Sequence, residues 1–525
     1  MPFMKPLLTF VLLTTLAASA EPADCRWRLP GQFSENMVLQ RDVPLPIWGW
    51  GPEGAPATVR LIAPPNSGLE YNHSITVTVT NGRWRAVLPP APAGGPYSLL
   101  IEPKDETGHG ADALLFTQVL VGEVWLICGQ SNVLWPLDET AEGAEEIARR
   151  HELPNFRFLE IGDRMPHSVA ARRATPVGFW GNPRWEEASY LAPRSSRKDI
   201  PGGPSAAGYY FGAALYRHLG GKVPVGIIQV GAIMPVQHWV PDEEVAATPG
   251  LLPIRGAIYP NATSKGFDAN IAPLAGYPLR GCIYMQGESN CLPGQDEFYR
   301  HGLPALIRGW RKAWNNDQLP FLIVQLWRAM NLKLDPNEQF SMDAPQLQAW
   351  HNATREGAKP LLTVREAQRL TRQSLTNTAL VVTIDVGDVA DAQDAHPRHK
   401  RPIGERLAMA ARKLTLGEAD PTLESPLPEK AEFAGAQATV HFVNADGGLE
   451  VRGGKLVGFE LAGPDGVFHP AEGTVEGAVV RLRSPRVTKV AAVRYAWAGY
   501  PQFCLYNRRG LPASPFALPR AAPVE

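Results

Sequence analysis

Two short polar motifs, far apart in the chain, carry the residue types that nucleophilic catalysis needs. The sequence GQSN at 129–132 follows an apolar run directly, and DAHP at 394–397 comes much later. A serine hydroxyl is a weak nucleophile at neutral pH, so it needs an imidazole to take its proton and an acid to orient that imidazole. Ser131, His396 and Asp394 supply these three groups. Together the motifs predict acyl transfer by a serine hydrolase.

Several carboxylates could orient the histidine. Asp388 and Asp391 lie near Asp394 in the same stretch. A third motif, QGESN at 286–290, again follows an apolar run and contains Glu288, which could steer the histidine or simply brace its loop. From residue types alone, the acid therefore remains open.

The polar side chains of the third motif are also candidates for binding. Amide groups on a strand-end loop can donate hydrogen bonds to the oxyanion that develops during acyl transfer. Gln286 and Asn290 are the candidates in this loop, and Gln130 is the corresponding amide beside the serine.

From residue 116 onward, apolar runs alternate with helical patterns, which predicts a three-layer α/β domain with a parallel sheet. The predicted strands cover 119–128, 225–230, 281–285, 321–326 and 380–384, and the predicted helices cover 205–219, 297–314, 364–376 and 402–413. The serine then lies at the carboxyl end of a strand, where α/β sheets bind their ligands.

An α/β-hydrolase is the alternative architecture, and the motifs argue against it. That fold requires a second glycine two residues after the serine, where this chain has Val133. Its acid normally lies well before the histidine, whereas Asp394 is only two residues ahead of His396. The motifs favour the small doubly wound hydrolase in which acid and histidine share one loop before the last helix. Pro397 is predicted to start that helix.

The regions on both sides of this domain are predicted to form β-domains. Short alternating segments at 43–50, 58–62, 74–80 and 83–88, separated by turn signals, predict an N-terminal β-sandwich over 21–115. The central hydrolase domain is predicted over 116–418, with long irregular loops at about 154–204 and 328–360. Similar short segments after residue 419 predict a C-terminal β-rich domain reaching residue 525.

The first twenty residues resemble a secretory signal peptide. Lys5 precedes an apolar run over 6–16, and Ala18-Ser19-Ala20 forms a small-residue cleavage site. No later run is long enough to span a membrane. The chain is therefore expected to be exported, either to the periplasm or to the exterior.

The charge balance gives no electrostatic reason to expect nucleic acid as a partner, because 51 basic residues face 52 acidic ones. The sequence indicates no particular protein partner. The five cysteines are too few for a disulfide framework and show no metal-ligand spacing. Cys282 and Cys291 flank the third motif and are either bridged or simply buried.

The ordered motifs resemble those of the sialate O-acetylesterase family, carbohydrate acetylesterases with the SGNH-hydrolase fold. The resemblance covers nearly the whole mature chain, through NMVLQR at 36–41, WGW at 48–50, GEVW at 122–125, GQSN at 129–132, NIAPL at 270–274, QGESN at 286–290, REAQ at 365–368, TID at 383–385 and HP at 396–397.

This resemblance implies hydrolysis of O-acetyl esters on sugars without a metal or cofactor. Ser131 would attack the acetyl carbonyl, His396 would act as the base and Asp394 would hold the imidazole. The backbone N–H of Ser131 and donors from 286–290 would form the oxyanion hole. Related esterases suggest Glu288 as a competing acid.

One segment departs from the family pattern. Where relatives have Trp-Gly-Gly-Thr, this chain has GAIM at 231–234. A backbone donor survives such a change, but the β-branched Ile233 replaces a glycine that permits close approach. Ala232 and Ile233 are therefore candidate members of a reshaped oxyanion hole.

Two alternatives to the sialate-type function follow. The same hydrolase would act on acetylated plant polysaccharide, such as xyloglucan or xylan, if its loops form a groove. If the altered segment at 231–234 has abolished catalysis, the protein would instead bind glycans without hydrolysing them.

Overall fold

The computed structural model describes residues 27–65, 67–104, 113–161, 185–187, 204–251, 266–291, 294–329, 358–387 and 395–519. The predicted signal peptide at 1–20 lies outside these ranges, as do Asp388, Asp391 and Asp394. Most of the two predicted irregular loops also lies outside them. Within the described ranges, none of the helices combines the length and the hydropathy of a membrane-spanning segment.

The protein is a mixed α/β structure with one large sheet and several smaller ones. The strands are β1 (Val38–Gln40), β2 (Leu45–Trp50), β3 (Pro56–Ile62), β4 (Asn72–Thr78), β5 (Arg83–Leu88), β6 (Gly94–Pro103), β7 (Leu114–Gly129), β8 (Phe156–Ile161), β9 (Trp185–Glu187), β10 (Val225–Gly231), β11 (Gly281–Met285), β12 (Phe321–Val324), β13 (Thr378–Val381), β14 (Leu427–Ala434), β15 (Gln437–Val443), β16 (Leu449–Val451), β17 (Phe459–Ala462), β18 (Phe468–Pro470), β19 (Glu472–Glu476), β20 (Val479–Arg483), β21 (Ala492–Tyr495), β22 (Leu505–Asn507) and β23 (Phe516–Leu518). The helices are α1 (Ser131–Leu134), α2 (Gly143–Ala148), α3 (Ala206–His218), α4 (Asp242–Ala247), α5 (Asp296–Ala313), α6 (Lys359–Ser374) and α7 (Arg401–Thr415).

The central sheet has the order β13-β12-β11-β7-β10-β8-β9 and is parallel except at β9. The chain enters at β7, adds β8 and β10 on one side, and then adds β11, β12 and β13 on the other. This reversal places a switch point between β7 and β11. Crevices at the carboxyl ends of strands beside such a point are where open α/β sheets bind ligands.

Helices cover both faces of the central sheet. Trp125 of β7 contacts Phe211 of α3, and Tyr284 of β11 contacts Trp310 of α5. Tyr284 pairs with Cys128, three positions beyond Trp125, and side chains alternate between faces along a strand. The two helices therefore lie on opposite faces. Helix α7 packs beside α3 and α6 beside α5, which completes three layers.

Strand β7 continues from the N-terminal sheet into the central one. Its first half pairs antiparallel with β6, and its second half pairs parallel with β10 and β11. The predicted domain boundary at 115/116 therefore falls inside a single strand. The N-terminal region adds β3 and β4 to the same sheet, while β2 and β5 form a separate pair.

A buried carboxylate joins the N-terminal region to the central sheet. Glu123 of β7 accepts hydrogen bonds from Arg41 Nε at 2.6 Å and from Arg280 Nε at 2.8 Å and Nη2 at 3.0 Å. The side chain of Glu123 is 1% exposed, whereas about a fifth of each arginine side chain reaches solvent. Glu123 thus pairs with two cations from distant parts of the chain, and the exposed Asp42 lies 3.5 Å from Arg41 and 3.1 Å from Arg280.

We expect Glu123→Gln to lower the free energy of unfolding by about 3 kcal/mol. The two largely buried guanidinium groups lose their buried anion and are left with the exposed Asp42. Urea unfolding followed by circular dichroism measures this difference. The matched control is Glu243→Gln, which breaks the exposed pair with Lys312 and should leave stability unchanged. Equal stability of the two variants would contradict a structural role for the buried cluster.

The C-terminal region has a hydrophobic core of its own. It comprises the sheets β14-β15-β20-β19 and β18-β17-β21-β23 and the pair β16-β22. Buried Arg365 of α6 anchors this region to the central domain, because its guanidinium donates to the carbonyls of Leu326, Trp327, Ala498 and Gly499.

Several predicted elements differ from the structure. Helix α6 begins at Lys359, five residues before its predicted start at 364, and β12 ends at Val324, two residues before its predicted end. The stretch 154–204, predicted to be irregular, contains strand β8, whose pattern is broken by Arg157, a buried side chain that donates to Asn36 Oδ1 at 2.9 Å. The strand predicted at 380–384 is β13, which lies earlier at Thr378–Val381. The last helix starts at Arg401 and not at Pro397, because Pro402 occupies its first turn.

Candidate active site

The serine lies at the switch point of the central sheet. Strand β7 ends at Gly129, and Ser131 is the first residue of the one-turn helix α1. A Cβ atom at Gly129 would lie 1.9 Å from the carbonyl oxygen of Met285, at the end of β11. Glycine is therefore required here for close approach of two strand ends. The N–H of Ser131 opens the helix and has no acceptor within it.

The structure brings the two distant motifs together. His396 Nε2 lies 2.8 Å from Ser131 Oγ, although 265 positions separate the two residues in sequence. This distance is within the range for proton transfer between a nucleophile and its base. Both side chains are partly exposed, so the hydroxyl is accessible to a substrate.

Trp135 fixes one face of the imidazole. Its ring stacks on that of His396, with centroids 4.8 Å apart and planes inclined by 17°. Trp135 comes directly after α1, so the segment that carries Ser131 also supports His396. Sequence reasoning missed this residue, although its position four after Ser131 was a usable signal.

Replacing Trp135 by alanine is expected to lower kcat about tenfold, because the free energy of one aromatic contact corresponds to about that factor in rate. Trp135→Phe keeps a ring against the imidazole and should retain most of the activity. Steady-state hydrolysis of 4-nitrophenyl acetate measures both variants, and their melting temperatures control for folding. An alanine variant with the wild-type kcat would show that the stacking does not support His396.

Asn132 connects the segments around the serine. Its Nδ2 donates to Glu288 Oε1 at 2.6 Å and to the carbonyl of Ala395 at 3.0 Å, and its Oδ1 accepts from Lys400 Nζ. Both Asn132 and Lys400 are fully buried. Neither was singled out from the sequence. A lysine before a helix usually lies at the surface, and only the tertiary structure shows its burial.

Glu288 lies on the turn after β11 and is bonded to Asn132. Its Oε2 is buried and has no hydrogen-bond partner among the described residues. Burial raises the pKa of this carboxyl, while hydrogen bonds from its own backbone and from Asn132, with the charges of Lys400 and His396, offset part of the rise. Glu288 is thus close to the site and favours its neutral form more than an ordinary glutamate does.

The three amides predicted to bind the oxyanion are buried and bonded to other protein groups. Gln286 Nε2 donates to Gln130 Oε1 at 2.8 Å and to Asn290 Oδ1 at 3.1 Å. Gln130 Nε2 donates to Ser289 Oγ. Asn290 Nδ2 donates to a side-chain and a backbone oxygen. These amides hold the loops after β7 and β11 together, and their donors are not aimed at the serine hydroxyl.

The segment at 231–234 follows β10 beside the serine loop. The N–H of Ala232 donates to the carbonyl of Gly129 at 3.0 Å, so this predicted oxyanion donor already has a backbone partner. Ile233 projects outward with 54% of its surface exposed. Its unusual side chain therefore faces solvent and does not fill the space between the strands.

The structure contradicts a bridge between Cys282 and Cys291, because both thiols are free. Cys282 lies near the start of β11, and Cys291 follows the turn after that strand. At about 3.3 Å per residue, the strand keeps them too far apart for a disulfide. No group of three or more His, Cys, Asp or Glu side chains in the described ranges is placed to hold a metal ion.

Comparison with known proteins gives a consistent result. The family model described as carbohydrate esterase, sialic acid-specific acetylesterase, matches residues 121–413. The sialate O-acetylesterases of Pongo abelii and Homo sapiens are each 27% identical over 518 residues, covering 93% of this chain and 92% of each relative.

A solved structure is similar over almost the whole chain. It is a carbohydrate acetylesterase from Xanthomonas citri, with 30% sequence identity and a TM-score of 0.75, covering 94% of this chain and 100% of that one. With the family model spanning more than half of the sequence, this chain belongs to the sialic acid-specific acetylesterase family of carbohydrate esterases.

Proposed function

We propose that this protein is a carbohydrate O-acetylesterase of the sialate O-acetylesterase type, which hydrolyses acetyl esters on sugars through Ser131. The observation that carries the proposal is the 2.8 Å contact between Ser131 Oγ and His396 Nε2 at the switch point of the sheet. Family membership and the names of the relatives support acetylated sugars as the substrates.

The reaction follows from this geometry. Ser131 Oγ attacks the acetyl carbonyl carbon while His396 Nε2 takes the hydroxyl proton. The tetrahedral intermediate collapses, and the sugar oxygen leaves with that proton, so an acetyl ester remains on Ser131. Water then attacks the ester with His396 as base, and acetate leaves while the serine regains its proton. The N–H of Ser131 is the oxyanion donor that the described residues support.

Asp394 is the proposed acid that orients His396. It precedes the histidine by two residues, so one loop would carry both groups. Glu288 is the weaker candidate, because its Oε1 is bonded to Asn132 and burial favours its neutral form. A shared acid-histidine loop before the last helix is typical of an SGNH-type domain, and we assign the central sheet to that type.

Export is part of the proposal. The apolar run and small-residue site within residues 1–20 support cleavage after Ala20. N-terminal sequencing of protein recovered from a cell envelope extract and from the medium tests this assignment. A mature protein that retains residues 1–20 would contradict it.

Acetate release tests the function directly. Purified protein and Ser131→Ala are incubated with O-acetylated sialosides and, separately, with acetylated xylo-oligosaccharides and xyloglucan fragments. We expect the wild-type protein to release acetate from the sialosides and the variant to release none. Release only from the plant oligosaccharides would move the substrate to that class. Glycan binding without release from any substrate would replace the esterase by a binding protein.

A further inference from the structure

The Ser131–His396 contact is closed into a ring by the residues next to each of them. Asn132 follows the serine, Ala395 precedes the histidine, and Asn132 Nδ2 donates to the Ala395 carbonyl at 3.0 Å. The ring therefore contains two peptide bonds and two hydrogen bonds, one of them the catalytic contact. The Asn132–Ala395 bond therefore restrains the distance and angle between the hydroxyl and the imidazole.

Lys400 determines the orientation of the Asn132 side-chain amide. An ammonium group has three donors and no acceptor, so it can bond only to the oxygen of an amide. Its bond to Asn132 Oδ1 turns Nδ2 toward Glu288 Oε1 and the Ala395 carbonyl. With the amide reversed, the nitrogen would face the ammonium, and an oxygen would face two other oxygens.

The Lys400 side chain is buried among groups of the candidate active site. Its side chain is fully buried, and its Nζ lies 5.3 Å from the ring centroid of Trp327 and 6.0 Å from that of Trp135. Burying an ammonium is costly unless polar or aromatic groups compensate it. The residue also precedes α7, so it ties the start of the last helix to the serine segment.

We propose that Lys400 and Asn132 act as one positioning pair, in which Lys400 orients the Asn132 amide and the amide holds the His396 loop against Ser131. This inference rests on the proposed function, because it concerns the same serine and histidine. It assigns roles to two residues that are fully buried and act through Ser131 and His396.

A double-mutant cycle on kcat for 4-nitrophenyl acetate tests the pair, using Lys400→Met, Asn132→Ala and the double variant in the full-length protein. Each single change should lower kcat about 100-fold with little change in KM, as expected for displaced catalytic groups. Because the two residues act through one contact, the double variant should be no slower than the slower single variant. If the fold-loss of kcat in the double variant equalled the product of the two single losses, the two residues would act independently, and the proposal would be overturned. A wild-type kcat in Lys400→Met would also overturn it.

Asn132→Asp separates orientation from packing. It keeps the size of the side chain and an acceptor for Lys400, but it cannot donate to the Ala395 carbonyl, so kcat should fall as far as in Asn132→Ala. Near-wild-type kcat in Asn132→Asp would overturn the proposal even if the alanine variant fails to fold.

The control is Lys413→Met, at the other end of α7, where Lys413 Nζ also donates to an asparagine, Asn444 Oδ1, at 3.0 Å and pairs with Glu424 Oε2 at 2.7 Å. This variant should keep the wild-type kcat, and loss of activity there as large as in Lys400→Met would show a general effect on the helix. A wild-type protein that leaves 4-nitrophenyl acetate intact would contradict the proposed function. If the wild-type protein turns over the substrate but the effects of the two single changes on kcat are independent, only the positioning pair would be overturned.

Discussion

Replacing His396 by alanine is expected to lower kcat for 4-nitrophenyl acetate about 10⁴-fold, because the Ser131 hydroxyl loses the base that takes its proton. KM should change little, since the imidazole acts on the serine and not on the bound ester. Initial rates across a range of substrate concentrations, corrected for spontaneous hydrolysis, separate the two constants.

His399 provides the matched control for this experiment. It lies three residues after His396, about half of its side chain is exposed, and its Nδ1 lies 2.9 Å from Glu142 Oε1. His399→Ala should therefore retain full activity. An equal loss in both variants, or an active His396→Ala, would show that His396 is not the base.

The second large effect is expected at Asp394. Changing it to asparagine should lower kcat by about 10⁴-fold, the loss typical when the group that orients a catalytic histidine can no longer hold the correct tautomer. Glu288→Gln should cost far less, because glutamine keeps an oxygen that accepts from Asn132 Nδ2. The burial that raises the pKa of Glu288 already favours its uncharged form.

Comparing the two variants at several pH values identifies the acid. If Asp394→Asn retained activity while Glu288→Gln lost it, the assignment would be reversed and Glu288 would be the group that orients His396. Similar moderate losses in both would indicate two carboxylates that share the role.

The parallel strands were predictable because a strand that is buried on both faces is a nearly continuous apolar run in the sequence. Strand β11 matches its predicted bounds of 281–285, and the apolar core of β7 was recognised as a buried strand. Strand β8 was missed because Arg157 interrupts its pattern. The buried arginine donates to Asn36, which lies far away in the sequence, so no local pattern predicts that it is tolerated there.

The contact between Ser131 and His396 was predictable from residue type and context, but the residues that support it were not. Nothing in the local sequence singles out Lys400, and the two tryptophans near its ammonium group come from other segments. The amides of Gln130, Gln286 and Asn290 were expected to face the substrate. Their hydrogen bonds to one another depend on how the ends of β7 and β11 approach, which no local pattern encodes.

The acetyl-enzyme on Ser131 provides the most direct test of the account. Protein quenched in acid during turnover of an acetylated substrate is digested, and the peptide that contains Ser131 is examined by mass spectrometry. We predict that this peptide gains the mass of one acetyl group, and that fragmentation places the group on the serine. Sustained acetate release with no acetyl on Ser131, or with acetyl on another residue, would contradict the account.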